Sequence, residues 1–247
     1  MAEALRACVL AAGKGKRMGG QKPKVLFEAA GKTLLEWCLS ALSAADIHDL
    51  VVVVGFKKHE VVARLPTGVR WVEQPSQLGT GHAVLCARSV FPDDGVPLLV
   101  TCGDMPLLRP QTFREVARQQ QMMDAACMVL TTRIDASSRF GRVVRDKAGN
   151  VSRIVEYQDA TAEERALEEG NTGVMCFRPQ SLWPALTELN NNNAAGEYYL
   201  TDVIAVLRQR GERVCAYRGA APEEAMGVNT PEDLREVEMA LCRRGGL

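Results

Sequence analysis

The sequence predicts an α/β fold in which a mixed, mostly parallel sheet is flanked by helices. First, short apolar runs alternate with amphipathic stretches through the N-terminal half of the chain, which is typical of parallel sheets covered on both faces. Second, 247 residues with 47% hydrophobic and 24% charged side chains can bury a sizeable core. Third, the alternation gives way after Gln111 to a stretch rich in strand signals.

In the N-terminal half, apolar runs predict four strands, at residues 7–11, 50–54, 69–73 and 97–102. Amphipathic stretches between them predict three helices, at residues 33–44, 59–65 and 81–90. The first of these helices places five apolar side chains on one face: Leu34, Leu35, Cys38, Leu39 and Leu42. One apolar face per helix is what a layer covering a sheet requires.

After Gln111, a polar turn at 146–150 separates two apolar runs and predicts a hairpin with strands at 142–145 and 151–155. Three more strands are predicted at 125–131, 172–177 and 214–217, and two helices at 161–168 and 201–210.

The last predicted helix begins at Pro231, after Thr230 as its N-cap, and reaches about Cys242. No clear linker and no internal repeat divide the chain. We therefore expect one domain over residues 1–229, followed by a C-terminal helix over 230–247.

Charge and cysteine usage exclude several classes of protein. The chain has 30 basic and 30 acidic residues and zero formal net charge, which argues against broad nucleic-acid or membrane-surface binding. No apolar run reaches the length of a membrane span, and the N-terminus does not have the pattern of a signal peptide. The eight cysteines and three histidines lack metal-ligand spacing, and most cysteines lie in apolar runs. We expect a cytoplasmic protein with no zinc site.

The segment from Cys8 to Lys24 predicts a binding site for a polyphosphate. An apolar run leads into a loop with Gly13 and Gly15, and five of the eleven residues from Lys14 to Lys24 are Lys or Arg. Glycines let backbone N–H groups approach an anion, and the cations neutralise it. The pattern is neither the dinucleotide fingerprint, which Met18 breaks, nor the P-loop, which Gln21 breaks. A basic, solvated strand-to-helix turn is the alternative reading.

Further short motifs follow the opening loop in a fixed order. They are Gln74-Pro75-Ser76-Gln77-Leu78-Gly79-Thr80-Gly81-His82-Ala83, Cys102-Gly103-Asp104-Met105-Pro106-Leu107, Phe140-Gly141-Arg142, Ile154-Val155-Glu156 with Asn171-Thr172-Gly173, Gly196-Glu197-Tyr198-Tyr199-Leu200-Thr201-Asp202, and Gly227-Val228-Asn229. With the opening loop, this series resembles the N-terminal pyrophosphorylase domain of the GlmU-type N-acetylglucosamine-1-phosphate uridyltransferases. The matches run from about Cys8 to Asn229, nearly the whole chain.

The resemblance implies a Rossmann-like nucleotidyltransferase fold with a β-rich insertion that binds a sugar. It implies transfer of a uridylyl group from UTP to N-acetylglucosamine 1-phosphate, giving UDP-N-acetylglucosamine and pyrophosphate, with Mg²⁺ as cofactor. The attacking phosphate is already anionic near neutral pH, so no Ser, Cys or His nucleophile is required. Positioning and neutralisation of charge can supply the catalysis.

The resemblance also assigns roles to particular residues. For catalysis it implies Arg17 and Lys24, and for the metal Asp104 and Asn229. For the nucleotide it implies Leu10, Ala11, Ala12, Gly13, Gly15, Gln74, Gly79, Thr80 and Gly103. For the sugar it implies Gly141, Glu156, Asn171, Tyr199 and Thr201.

The residue types suit those roles. A carboxylate at the end of a parallel strand suits Mg²⁺, as Asp104 after the apolar run 98–100 does. A carboxamide donates and accepts hydrogen bonds together, which suits the imide edge of uracil. Taken singly, each residue also has an ordinary reading, such as a turn aspartate or a solvated glutamine.

Departures from the family keep other readings open. Cys102 stands where the family usually has an aromatic residue, and residues 230–234 resemble the molybdenum-cofactor cytidylyltransferases. GlmU-type proteins continue into a β-helix acetyltransferase domain, so we expect only the uridyltransferase half here. The alternatives are a nucleotidyltransferase for another sugar 1-phosphate or base, and a non-catalytic nucleotide-sugar sensor. The presence of Arg17, Lys24, Asp104 and Asn229 weakens the sensor reading. The oligomeric state stays open.

Overall fold

The computed structural model describes residues 4–245. Residues 1–3 of the predicted domain and residues 246–247 of the predicted C-terminal helix lie outside the described residues. The strands are β1 (Arg6–Ala11), β2 (Glu28–Ala29), β3 (Lys32–Thr33), β4 (Leu50–Val54), β5 (Arg70–Glu73), β6 (Leu98–Cys102), β7 (Cys127–Arg133), β8 (Gly141–Arg145), β9 (Val151–Val155), β10 (Glu169–Phe177) and β11 (Val214–Tyr217).

The helices are α1 (Leu34–Ala44), α2 (Lys58–Val62), α3 (Thr80–Cys86), α4 (Pro110–Met122), α5 (Ala162–Arg165), α6 (Pro179–Leu186), α7 (Val203–Gln209) and α8 (Pro231–Gly245). Local sequence explains where several of them begin. Thr33 and Glu36 form a reciprocal capping box at the start of α1, in which each side chain accepts from the other residue's backbone N–H. Thr230 and Asp233 form the same arrangement at α8, as expected from the predicted N-cap.

Nine strands form one sheet in the order β11-β7-β10-β6-β1-β4-β5, with β8 and β9 attached beside β10. The pairs β1–β4, β1–β6, β4–β5 and β7–β11 are parallel, whereas β10 is antiparallel to β6, β7 and β8. The predicted mixed, mostly parallel sheet is confirmed. Since β1, β4, β5 and β6 run the same way, their carboxyl ends meet along one edge.

Alternation along β1 explains how helices come to cover both faces of the sheet. Cys8 packs in a cluster with side chains of α3, α6 and α7, whereas Ala7 and Val9 pack with side chains of α1 and α4. Successive side chains of a strand point to opposite faces, so an apolar run is buried on both sides.

A third, smaller cluster holds the C-terminal helix in place. Val237, Ala240 and Leu241 of α8 are buried against Leu34 and Leu107. Helix α8 also contacts the short β2–β3 hairpin, so the helix is part of the folded unit.

The four strands predicted for the N-terminal half match the structure to within one residue at each end. Other predicted boundaries were wrong by several residues. Strand β10 begins at Glu169, before the predicted 172, because its first residues pair with β7 and β8. The predicted helices at 59–65 and 161–168 shorten to α2 and α5.

Helices α4 and α6 and the β2–β3 hairpin are absent from the predicted elements. Helix α4 begins with Pro110 at its first turn and buries Phe113, Val116 and Ala117, a helical spacing that the sequence carries. Helix α6 contains Pro184 in its interior, which normally argues against a helix. Pro184 removes one backbone hydrogen bond from this short helix. Burial of apolar side chains such as Leu182 and Trp183 outweighs that loss.

Candidate active site

Two adjoining cavities open at the edge where β1, β5 and β6 end. One has a volume of about 560 Å³ and is lined by residues 10–17, Lys24, Gln74 and Gly79; we call it the loop cavity. The other has a volume of about 500 Å³ and is lined by Gly141 and other residues around the β8–β9 hairpin; we call it the hairpin cavity. Six residues line both: Leu10, Arg17, Thr80, Cys102, Asp104 and Asn229.

The loop cavity collects eight of the nine residues predicted for the nucleotide: Leu10, Ala11, Ala12, Gly13, Gly15, Gln74, Gly79 and Thr80. The ninth, Gly103, does not line it. The backbone N–H of Gly103 instead donates to the carbonyl of Leu10 at 2.9 Å and joins the ends of β1 and β6. The lining also includes four cations, Lys14, Lys16, Arg17 and Lys24, so the cavity is suited to a polyphosphate.

The hairpin cavity collects four of the five residues predicted for the sugar: Gly141, Glu156, Asn171 and Thr201. Tyr199 lines neither cavity. The Thr201 hydroxyl donates to Glu156 Oε1 at 2.9 Å, which leaves Oε2 of Glu156 facing Gly141. Burial raises the pKa of Glu156, and the neighbouring Asp202 and Asp159 raise it further.

The two cavities meet at a cluster of four polar side chains. Lys24 forms an ion pair with Asp104, and its Nζ also donates to Oδ1 of Asn229 at 3.0 Å. Nη2 of Arg17 donates to the same Oδ1 at 3.0 Å. The four residues predicted for catalysis and metal binding therefore lie together, although they come from the N-terminal loop, the end of β6 and the start of α8.

Asn229 is held in place by the first turn of α8. Its backbone N–H donates to Oδ2 of Asp233 at 2.8 Å, and its Nδ2 donates to the carbonyl of Gly227 at 3.2 Å. The N–H of Val228 donates to the carbonyl of Asp104 at 3.0 Å, which ties this segment to the end of β6. With Nδ2 engaged at Gly227, the oxygen of the Asn229 carboxamide is the end that faces the junction.

The donor set at the junction suits Mg²⁺. Asp104 offers a carboxylate and Asn229 an amide oxygen, both hard ligands, and Mg²⁺ usually takes only one or two ligands from protein. Within residues 4–245 no group of three or more His, Cys, Asp or Glu side chains gathers as a metal cluster would. Lys24 contacts Oδ2 of Asp104 and Oδ1 of Asn229, so a metal held by these oxygens would compete with its ammonium group.

The carboxamide nitrogen of Gln74 is hydrogen-bonded within the protein, and this determines which atom of the side chain is available to a base. Gln74 is only 3% exposed, and its Nε2 lies 3.0 Å from the carbonyl of Gly79 and 3.1 Å from Nδ1 of His82. Both hydrogens of Nε2 are therefore engaged within the protein. This arrangement leaves Oε1 as the atom available to a ligand, which favours an amide that accepts from a base over one that donates and accepts together.

Glycine is required at position 79 because the backbone there has a φ of 112° and passes close to Tyr198. A Cβ atom at this position would lie 2.6 Å from the Tyr198 carbonyl oxygen. The segments pair through two backbone hydrogen bonds of 2.8 Å, from Gly81 to Tyr198 and from Tyr198 to Leu78. The Gly79-Thr80 motif and the 196–202 motif therefore lie side by side and are joined by backbone hydrogen bonds.

Arg142 holds the loop that precedes the hairpin. The residue is fully buried, and its guanidinium donates to the backbone carbonyls of Ala136, Ser138, Phe140 and Arg165. This network sets the course of the chain into Phe140 and Gly141, which line the hairpin cavity.

Cys102, the departure from the family pattern, lines both cavities beside Asp104. Burial raises the pKa of this thiol to about 12, so it stays neutral and acts as a small apolar side chain. The other lining residues that were not predicted include Gln77, Arg139 and Phe140. Gln77 and Phe140 lie within the quoted motifs and Arg139 directly precedes one, so position in or next to a motif was the available signal.

A family model described as a MobA-like NTP transferase domain matches residues 7–211, most of the chain. The chain belongs to the MobA-like NTP transferase family.

Within the NTP transferase family, the chain is similar to proteins described as bifunctional protein GlmU. The one from Limosilactobacillus fermentum is 43% identical over 238 residues, which cover 96% of this chain and 52% of that protein. The one from Brevibacillus brevis is 40% identical over 240 residues, covering 97% and 52%. The predicted resemblance to GlmU is confirmed, and the chain spans about half the length of the curated relatives it matches.

Solved structures confirm the NTP transferase fold. A UDP-glucose pyrophosphorylase complexed with UDP-glucose has a TM-score of 0.81 and 17% identity, covering 98% of this chain and 99% of that one. An apo form of UDP-glucose pyrophosphorylase has a TM-score of 0.76 and 16% identity, with the same coverage. None of the helices in the described part of the chain is long and apolar enough to cross a membrane.

Proposed function

We propose that this domain transfers a uridylyl group from UTP to N-acetylglucosamine 1-phosphate and releases pyrophosphate. One observation carries the proposal: two separate cavities, one basic and glycine-rich and one with a buried carboxylate, share Arg17, Asp104 and Asn229 where they meet. A reaction between two bound phosphates requires this arrangement, because the attacking and the attacked groups must approach each other from separate sites.

UTP would occupy the loop cavity. Its triphosphate would lie against the backbone of Gly13 and Gly15 and the cations of this loop, and its base would lie near Gln74 and Thr80. The basic lining of this cavity attracts the negatively charged triphosphate.

N-acetylglucosamine 1-phosphate would occupy the hairpin cavity. Glu156, Asn171 and Thr201 would hydrogen-bond hydroxyl and amide groups of the sugar, and Gly141 leaves room beside them. The phosphate of the sugar would then point toward the junction, where it can attack the α-phosphorus of UTP.

At the junction, Arg17 and Lys24 would neutralise charge that develops as pyrophosphate leaves. Asp104 and Asn229 would hold Mg²⁺, which when bound supplies further neutralisation and orients phosphate oxygens. Since Lys24 contacts both of these oxygens, we expect it to turn toward the phosphates when a metal is bound.

The proposed location is the cytoplasm. All eight cysteines are free thiols, and Cys8, Cys38, Cys127 and Cys176 are buried. Free thiols in such number are typical of a reducing compartment.

The test is a panel of nucleoside triphosphates against sugar 1-phosphates, with pyrophosphate release as the readout. We expect the best turnover with UTP and N-acetylglucosamine 1-phosphate, and none without a divalent metal. Equal turnover with glucose 1-phosphate or CTP would support the alternative, a nucleotidyltransferase of different specificity. Binding without turnover for every pair would support a nucleotide-sugar sensor.

A further inference from the structure

His82 lies directly behind the side chain proposed to read the base. It is on α3, and its Nδ1 is 3.1 Å from Nε2 of Gln74. Unlike Gln74, His82 lines neither cavity, so it has no direct contact with a ligand in either of them. Any influence of His82 on the nucleotide would therefore act through Gln74.

The hydrogen-bond network fixes which end of the Gln74 carboxamide faces which neighbour. The carbonyl of Gly79 can only accept, and it lies 3.0 Å from Gln74, so the nitrogen end must face it. The second hydrogen of this nitrogen points to Nδ1 of His82, which must therefore accept. From this network we assign the histidine proton to Nε2, which faces Sγ of Cys86 at 3.8 Å.

With both hydrogens engaged, Gln74 presents only Oε1 to the loop cavity. Uracil carries an N–H donor at ring position 3, and an acceptor oxygen suits it. Cytosine carries a lone pair at the same ring position, so the two acceptors would repel each other. An amide held in this one orientation distinguishes the two bases, whereas an amide free to turn does not.

We propose that His82 is a positioning residue that determines base specificity, because it holds the Gln74 amide with its oxygen toward the nucleotide. The inference rests on the proposed function, in that the loop cavity takes a nucleotide. Without an acceptor at His82, one hydrogen of Gln74 loses its partner. The amide is then held by the Gly79 carbonyl alone, and rotation about its last side-chain torsion can offer the freed N–H to the cavity, where it suits the lone pair of cytosine.

Two substitutions of nearly equal shape separate positioning from packing. His82→Leu removes the acceptor, whereas His82→Asn places an amide oxygen close to the position of Nδ1. We expect His82→Leu to raise the KM for UTP about tenfold with kcat little changed, and to reduce the preference for UTP over CTP about tenfold. His82→Asn should retain the wild-type KM for UTP and the wild-type preference for UTP over CTP. The matched control is His48→Leu, which makes the same change at an exposed histidine.

Calorimetric titration with UTP and CTP alone, beside circular dichroism spectra of each variant, makes the test independent of turnover. Equal losses in His82→Leu and His82→Asn, with intact folds, would assign His82 to packing and overturn the inference. Wild-type protein that binds CTP as tightly as UTP would overturn it too. Selective UTP binding that only His82→Leu loses, without turnover on any sugar phosphate, would support the inference and reject only the proposed function.

Discussion

The ammonium group of Lys24 forms an ion pair with the carboxylate of Asp104 at the junction of the two cavities. The same group donates to Oδ1 of Asn229, so one positive charge lies between the two oxygens proposed to hold Mg²⁺. The carboxylate of Asp104 is therefore paired with a cation without a metal. We expect a metal bound by Asp104 and Asn229 to displace Lys24, which would leave this cation available to the phosphates.

We expect Asp104→Asn to keep the fold and lose most of the activity, because it removes the carboxylate at the metal position while keeping nearly the same shape. The measurement is the rate at several Mg²⁺ concentrations, together with a circular dichroism spectrum. Asp93→Asn, at an exposed loop position, is the control. Near-normal rates at low Mg²⁺ would contradict the assignment.

Arg17→Ala should lower kcat roughly a hundredfold, since removal of a preorganised donor to developing charge typically has an effect of this size. Steady-state kinetics with both substrates would measure it. If KM for UTP rises while kcat is unchanged, Arg17 contributes to ground-state binding instead, and Lys24 becomes the better catalytic candidate.

Glu156→Gln should raise Tm at neutral pH, because burial raises the pKa of Glu156 and the fold therefore favours its neutral form. This contribution to stability is fully present below the ordinary carboxyl pKa and is lost as the pH rises through the raised value. The difference in Tm between variant and wild type should accordingly disappear near pH 4. Glutamine can still accept from Thr201, so the hydrogen bond at this position is kept.

The control for this pH dependence is Glu115→Gln. Hydrogen bonds from Arg118 and Gln119 lower the pKa of Glu115 to about 2, so its linkage has the opposite sign. An equal rise in Tm for both variants would show a general effect of removing negative charge, and the buried carboxylate would not be its cause.

Gly79→Ala should lower Tm and raise the KM for UTP, because the new Cβ would lie 2.6 Å from the Tyr198 carbonyl oxygen. Gly149→Ala is the matched control, since its φ is also positive, at 84°, but nothing lies within 4 Å of the added atom. Backbone strain adds to the contact at Gly79, whose φ of 112° and ψ of 173° lie in a region adopted essentially by glycine alone. The difference between them in free energy of unfolding reports the contact with Tyr198 together with this backbone strain, and equal losses would contradict both.

Arg142→Lys should lower the free energy of unfolding by about 3 kcal/mol, because one ammonium group cannot reach all four backbone carbonyls that the buried guanidinium satisfies. It should also raise the KM for the sugar phosphate more than that for UTP, since the loop it holds lines the hairpin cavity. Urea unfolding and steady-state kinetics test the two parts. Arg153→Lys, on the exposed face of β9, should change neither, and equal effects there would contradict the role of Arg142.

The strands of the N-terminal half could be predicted because they are continuous apolar runs, and their parallel order explains why Gln74 and Asp104 meet at one edge. Asn229 could be placed beside Lys24 only through the resemblance, since 205 residues separate them. No local pattern shows that Arg142 is fully buried among carbonyls. Likewise, no local pattern shows that Gln74 donates both hydrogens of its amide to Gly79 and His82, because these partners are brought together by tertiary packing.

The hydrogen bond between Asn229 and Asp233 makes the junction depend on the first turn of α8. This helix packs through the small third cluster, separate from the two clusters that cover the sheet. Helix ends fray at lower free energies than central strands open. On gradual heating, the domain should therefore become inactive while its sheet is still folded, and cooling from that range should restore activity without refolding of the core.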